Sequence, residues 1–269
     1  MIETTIGFIG AGNMAEAIVK GLLEKKVVEP SRLTLSDPSD ARRGYFKSQG
    51  LNTTTDNAAL AQQADVVVLA VKPQVMASVL EPLREHFRAG QLVISIAAGI
   101  RTEKLDAWCG GRPVIVRVMP NTPALVGRGV SALCAGPRAG EREMGLARAL
   151  FDSVGTTLVV EETQMDAVTA ISGSGPAYVF HWLDAMLTAA RQQGFDEATA
   201  RKLVYGTLSG AAALAEGSTE GPDVLRARVT SKGGTTEAAL QVMQERGFAG
   251  IMADAVEAAA HRSRELSST

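Results

Sequence analysis

Of 269 residues only two are cysteine (Cys109 and Cys134), three are histidine (His86, His181 and His261), and aromatic side chains make up 4%. Two cysteines cannot build a disulfide framework, and the histidines share no ligand spacing with them or with each other, so no metal cage is encoded. Excess charge is missing too: 27 basic against 29 acidic residues leave a net charge of −2. That excludes a polybasic arm and gives no electrostatic reason to expect a nucleic-acid or membrane partner. Long apolar runs are absent. The most apolar stretch, Gly206 to Glu216, falls short of the roughly 20 residues that span a bilayer. The opening residues carry neither a basic n-region nor an apolar h-region, so the chain reads as one without a signal peptide, in a reducing, cytoplasmic compartment.

What the chain has in quantity is small and aliphatic: 46% of its residues are hydrophobic, Gly numbers 27, and Ala exceeds it. A core with so few rings must be filled by aliphatic side chains at close range. Up to about Glu162, short β-branched runs alternate with helical patterns, as in a parallel sheet built from βα units. Strands are predicted at Ile6–Ile9, Leu33–Leu35, Val66–Val71, Leu92–Ile96 and Val114–Val118, with weaker ones at Val130–Cys134 and Leu158–Val160. Helices are predicted between them, at Met14–Glu24, Val75–His86 and Glu141–Phe151. The run Val66–Val71 is apolar on both faces, as a strand covered by helices on both sides must be.

After Glu162 no strand-length β-branched run returns. Helices are predicted at Met165–Ser172, Ala177–Gln193, Glu197–Ala215, Thr235–Gln244 and Ile251–Arg264, broken at Gly194, Gly217–Pro222 and Gly247. The expected fold is α/β: a doubly wound sheet of the Rossmann type in residues 1–162, followed by an all-helical domain in residues 163–269. The apolar and Ala-rich stripes of the second half exceed what about a hundred residues bury on themselves. A homodimer through that half, or a multiple of dimers, is the expectation.

Gly10-Ala11-Gly12-Asn13-Met14-Ala15 follows the first strand and opens the first helix, matching G-x-G-x-x-A in the context that gives the motif meaning. The first glycine permits a tight turn, the second lets backbone approach a pyrophosphate, and the small last residue allows helix and strand to pack closely. The helix start supplies free N–H donors for the phosphates. The second strand ends in Ser36-Asp37-Pro38-Ser39, with Arg42 and Arg43 a turn later. An acid there favours a ribose 2′-hydroxyl, whereas hydroxyls and guanidinium groups favour a 2′-phosphate. Asp37 argues for NADH; Ser36, Ser39 and the arginines argue for NADPH, which is the reading adopted, with NADH as the alternative. Ligands of open α/β sheets lie outside the carboxyl ends of the strands. Those ends read Ala70-Val71-Lys72-Pro73, Ser95-Ile96-Ala97-Ala98-Gly99 and Met119-Pro120-Asn121-Thr122-Pro123, a ledge suited to a nicotinamide ring.

Two segments of the helical half run from glycine and hydroxyl residues into a helix start: Ser172-Gly173-Ser174-Gly175-Pro176-Ala177-Tyr178 and Thr230-Ser231-Lys232-Gly233-Gly234-Thr235-Thr236. Each offers consecutive backbone N–H groups to an anion such as a carboxylate. At these residues, together with Phe8–Met14, Ala70–Pro73 and Met119–Pro123, the sequence resembles the pyrroline-5-carboxylate reductases along essentially its whole length. It departs at Lys232, where many members carry proline. The resemblance implies hydride transfer from NAD(P)H to the imine carbon of 1-pyrroline-5-carboxylate, giving L-proline in the last step of proline biosynthesis. It implies that amides around Ser231, Gly233, Gly234 and Thr235 hold the substrate carboxylate and that the Thr236 hydroxyl, the catalytic group, meets the ring nitrogen. It also implies that Asn57 lies near the adenosine ribose and that Lys72 and Pro73 lie beside the nicotinamide.

The cofactor set expected from motif and resemblance together is Gly10, Ala11, Gly12, Asn13, Met14, Ser36, Asn57, Ala70, Val71, Lys72, Pro73 and Ala97. Two rivals share the architecture. A β-hydroxyacid dehydrogenase resembles its relatives in carrying a catalytic lysine on the first long helix after the sheet, but no lysine occurs between Lys104 and Lys202. A non-catalytic NADP(H) sensor would keep Gly10, Gly12 and Ala15 but have no use for the Gly233–Thr236 loop.

Overall fold

The computed structural model describes residues 2–268. The chain forms two compact units: one runs to Ser174 and takes back the chain from Ala259 onward, and the other spans Gly175–Ala258.

The first unit is built on a single eight-stranded sheet: β1 (Ile6–Ile9), β2 (Leu33–Ser36), β3 (Asn52–Thr54), β4 (Val66–Leu69), β5 (Leu92–Ser95), β6 (Val114–Met119), β7 (Gly129–Ala135) and β8 (Gly155–Val159). Their order is β3-β2-β1-β4-β5-β6-β7-β8, so the winding reverses between β1 and β4. All neighbours are parallel except β6 and β7. That single antiparallel ladder departs from the wholly parallel sheet expected. Its cause is the short link from Met119 to Gly129, which holds only the tight turn Thr122–Val126, whereas a parallel return needs a crossover of about a dozen residues or more. Strand β3 was not foreseen, because Asn52-Thr53-Thr54 is a polar edge without the apolar run that marks the inner strands.

Alternate side chains of the sheet enter two cores, as a period of two requires. On one face Phe8, Val66, Val68, Ile94, Val116 and Val118 pack with Ala15, Ile18 and Leu22 of α1 (Asn13–Glu24) and with Leu150 of α6 (Glu141–Phe151). On the other, Ile9, Val67, Leu69, Val93 and Ile115 meet α3 (Asn57–Gln63) through Leu60, α4 (Met76–Leu80) through Met76 and Leu80, and α5 (Thr102–Trp108) through Leu105. Helix α2 (Asp40–Ser48) contributes Phe46 to the first core. The helix expected over Val75–His86 stops as an α-helix at Leu80 and tightens over Glu81–Leu83, where Pro82 has no N–H to give.

The chain then leaves the sheet through α7 (Met165–Val168), which widens over Thr169–Gly173 into a π-turn closed by the Ser174 N–H on the Thr169 carbonyl at 2.8 Å. The helix expected over Met165–Ser172 is therefore two different turns. The returning end of α12 (Phe248–Ser268) is tied to α7, with the Ser263 and Ser267 hydroxyls donating to Asp166 at 2.6 and 3.1 Å.

The second unit is helical: α8 (Gly175–Gln192), α9 (Glu197–Glu216), α10 (Pro222–Arg228), α11 (Thr235–Glu245) and the first part of α12. Helix α10 was not among the helices expected, none of which falls between Ala215 and Thr235; it starts at Pro222, in the position where a missing N–H costs nothing. The buried apolar residues of this unit, among those described, are Leu187, Ala200 and Val204 at the α8–α9 contact. Phe180, Leu214, Val229 and Ile251 stay exposed on its surface.

Candidate functional site

Strand register sets the first half of the site. Ile9 lies opposite Ser36 and Leu69, and Leu69 opposite Ser95, so β1, β2, β4 and β5 end at one level. The residues after those ends, Gly10, Ala70, Val71 and Ala97, stand along one rim at the point where the winding reverses, where open sheets bind ligands.

Gly10 has φ +98°, and a Cβ on it would lie 2.6 Å from the Ala70 carbonyl oxygen, so only glycine makes this turn. Gly12 is different: nothing lies within 4 Å of where its Cβ would be, and the space above it is open. It caps α1, whose first internal bond runs from Glu16 N–H to the Gly12 carbonyl at 3.0 Å. The amides of Asn13, Met14 and Ala15 therefore precede the first helical donor, have no intrahelical acceptor and are available to an anion. A glycine turn with clear space and outward-facing amides fits a dinucleotide pyrophosphate.

The Ala11 peptide is gripped on both sides by the segment after β2. Its N–H donates to Asp37 Oδ2 at 2.9 Å, and its carbonyl accepts from Arg42 Nε at 2.6 Å. The other Asp37 oxygen accepts from the Ser39 N–H at 2.9 Å. Arg42 also pairs with Glu16 at 2.7 Å, Glu16 accepts from the Tyr45 hydroxyl at 2.7 Å, and Arg42 lies over the Tyr45 and Phe46 rings. The hydrogen bonds from Arg42 and Tyr45 outweigh burial and hold the Glu16 carboxyl below its usual range. Arg43 donates to the Asp37 carbonyl and pairs with Asp40. The sequence weighed Asp37 as a ribose contact and Arg42 and Arg43 as phosphate contacts or a solvated helix face; Asp37 and Arg42 also grip the glycine turn, and Arg43 braces Asp37 behind it. Ser36 is buried and donates to Asn57 Oδ1 at 2.6 Å, bringing those two expected residues together at the start of α3. Lys72 is exposed and precedes the tight turn Pro73–Val75.

Behind the rim lies a buried ion pair that the sequence did not mark. Arg117, at mid-β6, is 1% exposed and pairs through Nη1 with Glu162, which also accepts the Thr102 N–H at 3.1 Å. Burial opposes ionisation of Glu162, but the bonds from Thr102 and Arg117 prevail and lower its pKa from the ordinary 4.5. Burial, with Glu162 adding to it, pushes the Cys134 thiol up to about 12. Asn121, also buried, donates from Nδ2 to the Ser172 carbonyl at 3.1 Å and accepts the Val130 N–H at 2.9 Å. Four residues after Ser172 stands Pro176, which has no N–H for that carbonyl. The asparagine supplies the missing donor.

The remaining expected residues, Ser231, Gly233, Gly234, Thr235 and Thr236, lie in the second unit, on the turn from α10 into α11. Gly233 has φ +72°, and the Gly234 N–H closes the turn on the Ser231 carbonyl at 3.0 Å. The first helical bond of α11 is Ala238 N–H to the Gly234 carbonyl at 3.2 Å, so the amides of Thr235 and Thr236 point out of the helix start without an internal acceptor. The Thr236 hydroxyl, half-buried, has no hydrogen-bond partner among the described residues. Gly233 N–H does have one: Glu237 Oε2, at 2.7 Å. Glu237 was not singled out in the sequence.

Residues 162–266 match the family model described as pyrroline-5-carboxylate reductase dimerisation, and residues 5–99 match the one described as NADP oxidoreductase, coenzyme F420-dependent. A pyrroline-5-carboxylate reductase of Haemophilus influenzae is 46% identical over 271 residues, covering 99% of this chain and 98% of its own. Among solved structures, the pyrroline-5-carboxylate reductase of Coxiella burnetii superposes with a TM-score of 0.93 at 39% identity over the full length of both chains. The Plasmodium falciparum pyrroline carboxylate reductase, solved with NADP bound, gives 0.90 at 31% identity over 99% of each chain. With a glycine turn at the sheet rim, a hydroxyl and glycine loop at the start of α11, and end-to-end identity of this order, the chain belongs to the pyrroline-5-carboxylate reductase family.

Proposed function

We propose that the chain reduces 1-pyrroline-5-carboxylate to L-proline with NADPH, the last step of proline biosynthesis. The observation that carries this reading is the loop before α11, where the outward amides of Thr235 and Thr236 stand beside a Thr236 hydroxyl with no partner among the described residues. A planar imine bearing a carboxylate asks for those two things: N–H donors for the carboxylate and a single hydroxyl for the ring nitrogen.

The reduced nicotinamide, when bound, supplies the hydride that adds to the imine carbon. The protein's part is positioning. Gly10, Ala11, Gly12, Asn13 and Met14 receive the pyrophosphate, Ser36 and Asn57 the ribose, and Ala70, Val71, Lys72, Pro73 and Ala97 the nicotinamide end. Because both Asp37 oxygens are spent on backbone amides, the acid is less free to select a 2′-hydroxyl, which favours NADPH. Ser231, Gly233, Gly234 and Thr235 shape and line the carboxylate seat, and Thr236 orients the ring by its nitrogen, which ends as an amine. An iminium is already electrophilic, so holding donor and acceptor in near-attack geometry accounts for the catalysis without a tuned nucleophile.

Residues 1–162 serve the dinucleotide and 163–269 serve substrate and assembly. The second unit buries few apolar residues on itself and exposes Phe180, Leu214 and Ile251, which supports a homodimer or a multiple of dimers. Two free, buried thiols suit a reducing cytoplasm. Thr236→Ala tests the reading: turnover should fall by about a hundredfold while NADPH affinity stays put, as for loss of a group that acts only on the reacting ring. Undiminished turnover removes Thr236 from the reaction.

A further inference from the structure

Glu237 occupies one of the amides that would otherwise face the substrate. Its Oε2 accepts the Gly233 N–H at 2.7 Å, across the turn whose φ of +72° aims that amide back towards the helix. The contact is carboxylate to backbone amide, the same chemistry by which an incoming substrate carboxylate would be held. A charged acceptor on a backbone N–H is among the stronger hydrogen bonds, and an acid in the first turn is favoured by the helix dipole. Glu237 is otherwise exposed, with no cation paired to it among the described residues.

We infer that Glu237 is a specificity-determining residue that competes with the carboxylate of substrate and product for the Gly233 amide. In the empty loop it satisfies that donor and holds the turn. Binding exchanges one carboxylate for another, so the site takes substrate less tightly than three free amides would, and Glu237 returning to Gly233 N–H helps to expel the L-proline formed. This inference rests on the proposed seat of the carboxylate at the loop before α11.

The test compares the wild type, Glu237→Ala and Glu237→Gln in steady state with 1-pyrroline-5-carboxylate, with L-proline as competing product, and with 1-pyrroline, which lacks the carboxylate. Removing the competitor should lower both the KM for 1-pyrroline-5-carboxylate and the inhibition constant of L-proline by about fivefold to tenfold, the net range of one intramolecular hydrogen bond. Glu237→Gln, which keeps an acceptor without the charge, should fall between. The KM for 1-pyrroline should not move. A role limited to ordering the loop predicts the opposite, a KM that rises for both imines, and that result overturns the inference, as does an unchanged KM for the carboxylate substrate. Thr236→Ala separates the two readings: if it cripples turnover while the Glu237 variants bind carboxylates as the wild type does, only the role of Glu237 falls. If Thr236→Ala is without effect, the seat itself is misplaced and both fall.

Discussion

Gly12 and Glu162 are two residues whose chemistry is decided by what surrounds them. Among the described residues, nothing beyond its chain neighbours lies within 4 Å of a Cβ at Gly12. A Cβ there meets open space, and the substitution to valine costs the helix cap about 1 kcal/mol or less, yet it fills the space proposed for the pyrophosphate. Gly12→Val should therefore unfold within a few degrees of the wild type and bind NADPH at least about a hundredfold more weakly, read by calorimetric titration. Glu162 answers to a buried charge. Replacing it by Gln strands the Arg117 guanidinium, 1% exposed, without its counter-ion. The cost should be about 3 kcal/mol in urea unfolding. The same pair sets an acid limit. Because the folded pKa of Glu162 lies below the ordinary 4.5, its contribution is present above pH 4.5 and is lost as pH falls through the lowered folded value. Acid titration of the wild type should show this loss, and Glu162→Gln should lack it.

At the scale of elements, the inner strands and long helices were legible because their patterns are two-sided or strongly periodic. β1 and α6 fall on the residues expected, and α1, α9 and α11 within a residue. Elements were missed or misdrawn where the deciding partner lies elsewhere in the chain. β3 exists because β2 offers an edge, although Asn52-Thr53-Thr54 has no pattern of its own. The antiparallel β7 follows from the length of a link, which a run of Val and Leu does not announce. In the widened turn Thr169–Gly173 the Ser172 carbonyl, which Pro176 cannot serve, takes its donor from Asn121 in a loop far away in sequence. Asn121→Ala leaves both the Ser172 carbonyl and the Val130 N–H without this partner. It should cost about 2 to 3 kcal/mol in denaturant unfolding; a loss below about 0.5 kcal/mol would mean that water replaces the side chain at both groups.

For the molecule as a whole, the shortage of rings and abundance of Ala and Gly found in the sequence separate into two uses. In the first unit the sheet is buried by Val, Ile and Leu on both faces, and glycine serves the dinucleotide turn. In the second, Ala-rich helices keep little core of their own, and the chain in solution should scatter light at twice its mass or a multiple of it. Much of the candidate site was legible because its expected chemistry is carried by backbone: Gly10, Gly12, Gly233 and Gly234 announce turns that lead into helix starts, where the amides of Asn13, Met14 and Ala15 and of Thr235 and Thr236 have no internal acceptor. The pairs Asp37 with Ala11, Arg117 with Glu162, and Glu237 with Gly233 were not, since each depends on where a side chain turns after folding. The chemistry that unites these parts is the reduction of a cyclic imine. Mixing the protein with NADPH and 1-pyrroline-5-carboxylate and following the near-ultraviolet absorbance of the reduced nicotinamide tests it directly. The absorbance should decay only when the imine is present, matched mole for mole by L-proline; NADPH left unoxidised in the presence of substrate would contradict the assigned reaction.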